Sequence, residues 1–294
     1  MVKFYEVLNA YVKIILAMIY VICLLVLRGP LELLLPPVLN LSRGLAEGTG
    51  FFAVQSPASA LEFLNRAREV AGDGISAFEL ISAQGLKFLS EKFPQMRQPW
   101  PEPPEWSVLL HLGLSGSQQS EQVFEDLFEN ASEVILDGVI AQSRKQSKEL
   151  WSLREAIPLA NRAIGAICSF DISVPLSEIP NFISSAGLRT KKFGKLRTNC
   201  FGHLGDGNLH YNIFPPQGAS AKDYHEIKND LEGELHSLTH EMGGSISAEH
   251  GVGRLKVMDL ERFCDPVKMA LMHTMKKALD PLGILNPGAV LPSC

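Results

Sequence analysis

Hydrophobic and polar side chains alternate between helical and extended spacing from Phe51 onward. Helical spacing and helix-start residues predict helices over 57–70, 77–93, 119–132, 143–157, 221–241 and 265–279, and one more whose start is marked by Ser177 and Pro180. Extended spacing predicts strands over 107–114, 133–141, 171–175 and on both sides of Gly205. The mixed order, without a regular βαβ repeat, favours an α+β fold with a largely antiparallel sheet and flanking helices.

Residues 1–50 do not follow this pattern. Residues 14–27 are an unbroken apolar run between Lys13 and Arg28. The run is shorter than the roughly twenty residues that a membrane-spanning helix needs, and no small-residue cleavage site of a secretory signal follows it. A membrane or signal segment and a buried or unstructured leader both stay open. We therefore divide the chain into a hydrophobic N-terminal segment (1–50) and one domain (51–294).

Composition narrows the class of protein. The chain is 46% hydrophobic and 20% charged, which is typical of a soluble protein with a sizeable core. Its net charge of −5 argues against a nucleic-acid partner. The cysteines are odd in number, widely spaced and without a C-x-x-C pair, so they indicate a reducing compartment. We predict a cytoplasmic protein, with membrane association through residues 14–27 as the alternative.

A glycine-rich segment, F-G-H-L-G-D-G-N-L-H, concentrates candidate chemistry. Three glycines would weaken an unbroken strand, so we expect a tight turn with close backbone approach between His203 and His210. On one continuous strand these two side chains would face opposite sides, whereas a turn can bring both imidazoles to one point. Two converging histidines suit a divalent metal such as zinc.

A second glycine-rich segment, S-A-E-H-G-V-G, offers a third ligand. Adjacent side chains point apart, so Glu249 and His250 are not expected to bind one metal together. Two histidines with Glu249 leave a fourth position open, as in catalytic zinc sites. His250, with an ordinary pKa near 6.5, is then a candidate general base. Taken alone, each histidine is more often a structural residue.

His236 and His240 form a rival metal pair, four residues apart on a predicted helix. The pair lacks the internal glutamate of H-E-x-x-H, and its polar surroundings predict a solvated surface. Arg154, in E-L-W-S-L-R-E, lies on another predicted amphipathic helix. Its guanidinium could grip a carboxylate bidentately; the alternative is an ordinary surface charge beside Glu155.

These segments resemble, in order and spacing, the C-terminal domain of the FAD-linked oxidases that include D-lactate and D-2-hydroxyglutarate dehydrogenases. The motifs are L-W-S-L-R-E, D-I-S-V-P-L, G-H-L-G-D-G-N-L-H, S-A-E-H-G-V-G and L-N-P-G, and the resemblance covers roughly residues 51–291. It implies oxidation of a small D-2-hydroxyacid, 2-hydroxyglutarate- or lactate-like, to the 2-oxoacid. The hydroxyl proton would pass to His250 and the hydride to FAD, while the metal polarises the hydroxyl oxygen.

The resemblance also implies a role for each site residue. Zinc or another divalent metal would be bound by His203, His210 and Glu249. Arg154 would hold the substrate carboxylate and Asn212 would contact the substrate beside the metal. Asn208 and Asn286 would contact the flavin.

The sequence departs from the family at two cations. Ser169 stands where family members commonly have a lysine that helps bind the substrate, and Ala289 ends the family's N-P-G-K. Losing one charged hydrogen bond to a carboxylate costs on the order of 1.5–3 kcal/mol. Substrate preference or turnover is therefore expected to differ.

Family members place an FAD-binding domain before this one, and only fifty residues precede Phe51. Because the cofactor supplies the redox chemistry, this chain alone is not expected to turn over. Three hypotheses follow. The chain is an enzyme half that works with a separate FAD-binding chain, a truncated, non-catalytic metal-binding fragment, or a membrane-anchored binding module.

Overall fold

The structure is a computed structural model that describes residues 46–114 and 119–292. Two compact units divide the described chain, one ending at Glu249 and the other beginning at His250. Within these ranges no helix is long and apolar enough to cross a membrane. The hydrophobic N-terminal segment, including residues 14–27, lies outside the described residues except for its last five.

A seven-stranded sheet forms the centre of the unit that ends at Glu249. Its strands are β1 (Ala46–Val54), β2 (Ile75–Ser82), β3 (Trp106–Leu114), β4 (Ile135–Ile140), β5 (Cys168–Ser173), β6 (Arg197–His203) and β7 (Asn208–Phe214). They lie in the order β4-β1-β3-β2-β6-β7-β5, and every neighbouring pair is antiparallel. The predicted α+β fold with an antiparallel sheet and flanking helices is confirmed for these residues.

Four helices cover one face of the sheet: α1 (Pro57–Ala71), α3 (Ser120–Ala131), α5 (Ile179–Lys191) and α6 (His225–Glu241). Alternate strand residues point toward these helices, because side chains on a strand alternate between its faces. Phe52, Leu80, Leu110 and Tyr211 are examples, and all are at most 2% exposed. This face is apolar along its whole width, so it forms the larger hydrophobic core.

The opposite face is divided. Over its middle strands, α2 (Ala83–Lys92) and α4 (Arg144–Ile164) pack on a smaller core that includes Phe51, Ile81, Leu109 and Phe201. Toward β6, β7 and β5 the same face changes to polar side chains. We call this polar end the site face: Glu79, Ser169, Asp171, His203, Asn208, His210 and Asn212.

Most predicted elements are found within a few residues of their expected bounds. Ser56 caps α1 by accepting a hydrogen bond from the backbone N of Ser59 at 3.1 Å, and Pro57 occupies the first helical position, where the predicted range 57–70 begins. The helix predicted over 77–93 is wrong in its first part, because residues 77–82 belong to β2 and α2 begins only at Ala83. β2 is buried on both faces after Ala77, so it lacks the apolar–polar alternation that marks a half-buried strand.

The unit that begins at His250 contains two helices, α7 (Val257–Phe263) and α8 (Pro266–Leu279). α7 was not predicted from the sequence, whereas α8 was. Two sequence-distant glycine motifs meet in this unit, since Val290 N donates to Gly253 O at 2.6 Å and the Arg254 guanidinium donates to Pro287 O. Asp280 closes the turn after α8 by accepting from the backbone N of Ile284 at 3.0 Å and from the backbone N of Leu285 at 2.9 Å.

Candidate functional site

The hairpin of β6 and β7 positions the two central histidines. Phe201 pairs with His210 across the hairpin, so His203, two residues beyond Phe201, lies on the same face as His210. The turn between the strands passes through Gly207 at φ 81°, where an added Cβ would lie 2.3 Å from Val174 O. The glycine-rich sequence therefore forms the predicted tight turn with close backbone approach.

Glu249 meets both imidazoles. Its Oε1 lies 2.9 Å from His203 Nε2, and its Oε2 lies 3.9 Å from His210 Nε2. One ligand atom from each of the three side chains lies within 4.8 Å of the other two. The structure thus brings together the three residues expected to bind the metal, and their role as ligands stays a prediction.

Asp171 fixes the segment that presents Glu249. The backbone N of Glu249 donates to Asp171 Oδ2 at 3.0 Å, and the backbone N of Ala248 donates to Asp171 O at 3.2 Å. Ser173 and Ser245 exchange backbone hydrogen bonds one step earlier. The chain before Glu249 therefore runs along the edge of β5, which sets the position of its carboxylate.

Each candidate histidine faces a buried carboxylate on the neighbouring strand. Glu79 of β2 pairs with His203, and Asp171 of β5 pairs with His210. Glu79 Oε1 is hydrogen-bonded to His203 Nδ1, and Asp171 Oδ1 lies 3.9 Å from His210 Nδ1. Carboxylates behind metal-binding histidines orient the rings and raise their basicity.

Sequence reasoning missed both carboxylates in this role. The sequence predicts a helix at Glu79, and it identifies Asp171 only as part of the D-I-S-V-P-L motif. A usable signal for β2 was the Gly72-Asp73-Gly74 turn followed by a run containing Ile75, Phe78 and Ile81. Aromatic and β-branched residues after such a turn favour a strand.

Arg154 is part of the same cluster. It lies on α4, is 9% exposed, and its Nε donates to Glu79 Oε2 at 2.7 Å. Its guanidinium carbon lies 4.7 Å from the centre of the Phe201 ring. The alternative of an ordinary surface charge beside Glu155 is therefore wrong.

Charges in the cluster favour a divalent cation. When ionised, Glu79, Asp171 and Glu249 supply three negative charges, and Arg154 supplies one positive charge. With neutral imidazoles two negative charges are left over, which a divalent ion would offset. Oxygen and imidazole donors also suit zinc. The residues present therefore fit the implied metal.

Hydrogen bonds and burial shift the pKa values in the cluster. Burial tends to raise the pKa of Glu79, but its hydrogen bond with His203 and the charge of Arg154 outweigh burial and hold this pKa below its ordinary value. The hydrogen bond with Glu79 raises the pKa of His203. Burial, followed by the charge of Arg154, lowers the pKa of His210. The lowered pKa of His210 favours its neutral imidazole, which is the form that binds a metal.

Two asparagines extend the site face along β7. Asn208, His210 and Asn212 alternate toward this face, and Asn212 pairs with Ser169 of β5. Asn208 is 3% exposed, and within the described ranges neither polar atom of its side chain has a hydrogen-bond partner. A buried amide without partners costs about 1–3 kcal/mol unless a ligand or water satisfies it, which suits the predicted cofactor contact.

His250 and Asn286 belong to the other unit. His250 is exposed, and Asn286 has a left-handed backbone with φ 46°. Their assignments as catalytic base and flavin contact stay predictions.

The solvated surface predicted for His236 and His240 is wrong for His236. His236 is 5% exposed and packs edge-on against Phe170, with ring centres 5.4 Å apart, whereas His240 is exposed. The helix buries one of the two imidazoles in the larger core and leaves the other outside it. The argument against this pair as a metal site is therefore that one imidazole is buried in the larger core and the other is exposed, and not that both are solvated.

Fold and site together define an antiparallel α+β domain with a histidine- and carboxylate-rich face. The family described as FAD linked oxidases, C-terminal domain, matches residues 46–290. This chain belongs to that family, which confirms the resemblance inferred from the motifs.

The names of two relatives agree with membership in this family. The chain is 33% identical to D-2-hydroxyglutarate dehydrogenase, mitochondrial, of Arabidopsis thaliana, over 82% of this chain and 42% of the relative. It is 34% identical to the protein of the same name in Danio rerio, over 84% of this chain and 45% of the relative. The chain thus spans less than half the length of these relatives. Their names include a mitochondrial location, and the cytoplasmic location of this chain stays a prediction.

A solved structure of p-cresol methylhydroxylase with substrate bound has a similar fold. The TM-score is 0.58 at 14% sequence identity, over 84% of this chain and 53% of that chain. At this identity the likeness concerns the fold alone.

Proposed function

We propose that this chain supplies the substrate- and metal-binding site of a flavin-dependent D-2-hydroxyacid dehydrogenase. The observation that carries the proposal is the convergence of His203, His210 and Glu249, with a buried carboxylate opposite each histidine. Family membership and the names of the relatives support the reaction class. The substrate would be 2-hydroxyglutarate- or lactate-like.

Each residue would have a definite task. His203, His210 and Glu249 would hold zinc or another divalent metal, and Arg154 would bind the substrate carboxylate through its terminal nitrogens. Asn212, on the same face as His210, would contact the substrate, and His250 would take the hydroxyl proton. When bound, the metal supplies Lewis-acid polarisation of the hydroxyl and FAD supplies the two-electron acceptor.

FAD would be held by a flavin-binding domain outside residues 46–292, with Asn208 and Asn286 as contacts from this chain. The buried side-chain amide of Asn208, whose two polar atoms have no hydrogen-bond partner among the described residues, supports such a contact. A separate flavin-binding chain is our proposal for the partner. We expect no nucleic-acid partner.

Metal analysis tests the ligand set. The full chain should bind about one zinc per molecule, and His203→Ala or Glu249→Ala should lower the zinc affinity at least about tenfold. His240→Ala is the matched control, because this exposed histidine lies outside the cluster. Unchanged zinc binding in both ligand variants would refute the proposed metal site.

A non-catalytic metal-binding fragment is the second candidate, and Ser169 and Ala289 favour it because each removes a family cation. Mixing the zinc-loaded chain with a flavin-binding domain of a relative separates the two. Dye reduction with D-2-hydroxyglutarate that requires both components supports the dehydrogenase. Zinc binding without any turnover supports the fragment.

A further inference from the structure

We infer that Glu79 is a positioning residue that sets His203 and Arg154 at the same time. It is 2% exposed, and its two carboxylate oxygens have different partners. Oε1 accepts from His203 Nδ1, and Oε2 accepts from Arg154 Nε at 2.7 Å. One side chain on β2 therefore connects the candidate metal ligand to the candidate substrate-binding arginine.

The histidine contact determines which ring nitrogen would be available to hold a metal. A carboxylate only accepts hydrogen bonds, so the proton of a neutral His203 must lie on Nδ1. Nε2 is then unprotonated and available as a metal ligand. It lies 2.9 Å from Glu249 Oε1, a spacing at which two acceptors need a cation or a proton between them. The register Glu79↔His203 makes this pairing a consequence of the sheet itself.

The arginine contact fixes the plane of the guanidinium. Arg154 uses Nε on Glu79 and stacks on Phe201, so rotation about its long side chain is restricted at two points. Within the described ranges its terminal nitrogens make no hydrogen bond. They are therefore free for a substrate carboxylate, which a guanidinium can grip with two parallel bonds.

Both partners of Glu79 donate hydrogen bonds to its carboxylate. The amide of a glutamine at this position therefore cannot replace the carboxylate. A glutamine has one accepting and one donating end. If its amino group faces His203, the proton is driven to Nε2, where the metal should bind. If its amino group faces Arg154, two donors meet and the guanidinium loses its anchor.

The inference deepens the proposed function and rests on its metal site, so the experiment includes a ligand variant. Zinc affinity of the full chain is measured by competition with a chromophoric chelator. Glu79→Gln should lower it about 10- to 100-fold, as loss of a carboxylate behind a metal-binding histidine does, and a loss under about fivefold would overturn the inference.

Glu91→Gln is the matched control. Glu91 also accepts from an arginine, Arg197 Nη1 at 3.1 Å, and Arg197 also stacks on a phenylalanine, Phe88 at 4.9 Å. This pair touches no candidate ligand, so its loss should leave zinc affinity unchanged. An equal loss of affinity in both variants would mark the effect of Glu79 as general destabilisation and overturn the inference.

A spectroscopic readout keeps the inference testable without zinc. Long-range ¹H–¹⁵N spectra of the wild-type, metal-free chain show which nitrogen of His203 is protonated, with His203→Ala for assignment. A proton on Nδ1 supports the inference, and a neutral ring protonated on Nε2 refutes it. If His203→Ala and Glu249→Ala retain zinc, the proposed metal site fails while the spectra still decide the role of Glu79. If those two variants lose zinc and Glu79→Gln does not, only the role of Glu79 fails.

Discussion

Replacing Ser169 by lysine should strengthen binding of a 2-hydroxyacid to the zinc-loaded chain. Ser169 is exposed on the site face and lies directly across from Asn212. His210 is the diagonal neighbour in the same register, about 7–8 Å from Ser169. The four-carbon stem of a lysine is long enough to cover much of this diagonal. A cation would therefore be restored next to the proposed substrate position.

The size of the expected gain in substrate affinity depends on the solvent exposure of position 169. A hydrogen bond from a charged group to a carboxylate is worth about 1.5–3 kcal/mol. Because position 169 is open to solvent and Asp171 lies on the same side of β5, screening and competition favour the lower end. A gain of about 1.5 kcal/mol corresponds to about tenfold tighter binding.

Calorimetric titration with D-2-hydroxyglutarate measures this gain. Ser169→Met is the control, because it adds a side chain of similar length without charge. The gain of the lysine variant should shrink at high salt, since exposed charges are screened. Equal affinities for the lysine and methionine variants would refute the proposal that the substrate lies against the Asn212 end of the site face.

Three further predictions concern residues around the site and in the sheet. Asp171→Asn should lower zinc affinity about tenfold by the same chelator competition, because an amide is a weaker support behind a histidine; wild-type affinity would contradict this support role. Burial lowers the pKa of His111 below its ordinary value of 6.5. The neutral imidazole therefore contributes its full stability to the fold above pH 6.5, and this contribution is lost as the pH falls through the folded pKa. Urea unfolding monitored by the fluorescence of Trp151, whose Nε1 lies 3.5 Å from His111 Nδ1, should show this loss of stability. His111→Gln should remove the loss, and a pH profile that this variant leaves unchanged would be evidence against the role of His111. Gly207→Ala should cost at least about 2 kcal/mol in urea unfolding, because φ is 81° and the new Cβ would meet Val174 O; a smaller cost would mean that the turn relaxes easily.

The sequence predicted the convergence at the hairpin for a physical reason that the structure retains. Glycines at a turn allow two strands to approach, and residues on both sides of such a turn share a face when the register is right. His203 and His210 meet that condition through the pairing of Phe201 with His210. The motifs around them also indicated the family, which the match over residues 46–290 confirms.

Glu79 could not be found in the same way. It lies on a strand whose two faces are both buried, so the apolar run around it has no strand periodicity, and a helix was predicted there. Its importance depends on pairing between β2 and β6, which are separated by more than a hundred residues. Local propensity contains no information on such a pairing. His236 shows the same limit, because its burial depends on tertiary packing, which includes the ring of Phe170.

Sheet register, more than loop conformation, determines the geometry of the candidate site. The histidine hairpin lies between β2 and β5, and each of these two flanking strands places one carboxylate opposite one histidine. The segment before Glu249 is joined to β5 through Ser173 and Asp171. All three candidate ligands and both supporting carboxylates therefore belong to the unit that ends at Glu249. Since strand ladders hold side chains more rigidly than loops do, this arrangement favours a preorganised metal site. Replacing residues of the sheet should therefore lower zinc affinity more than replacing His250 does.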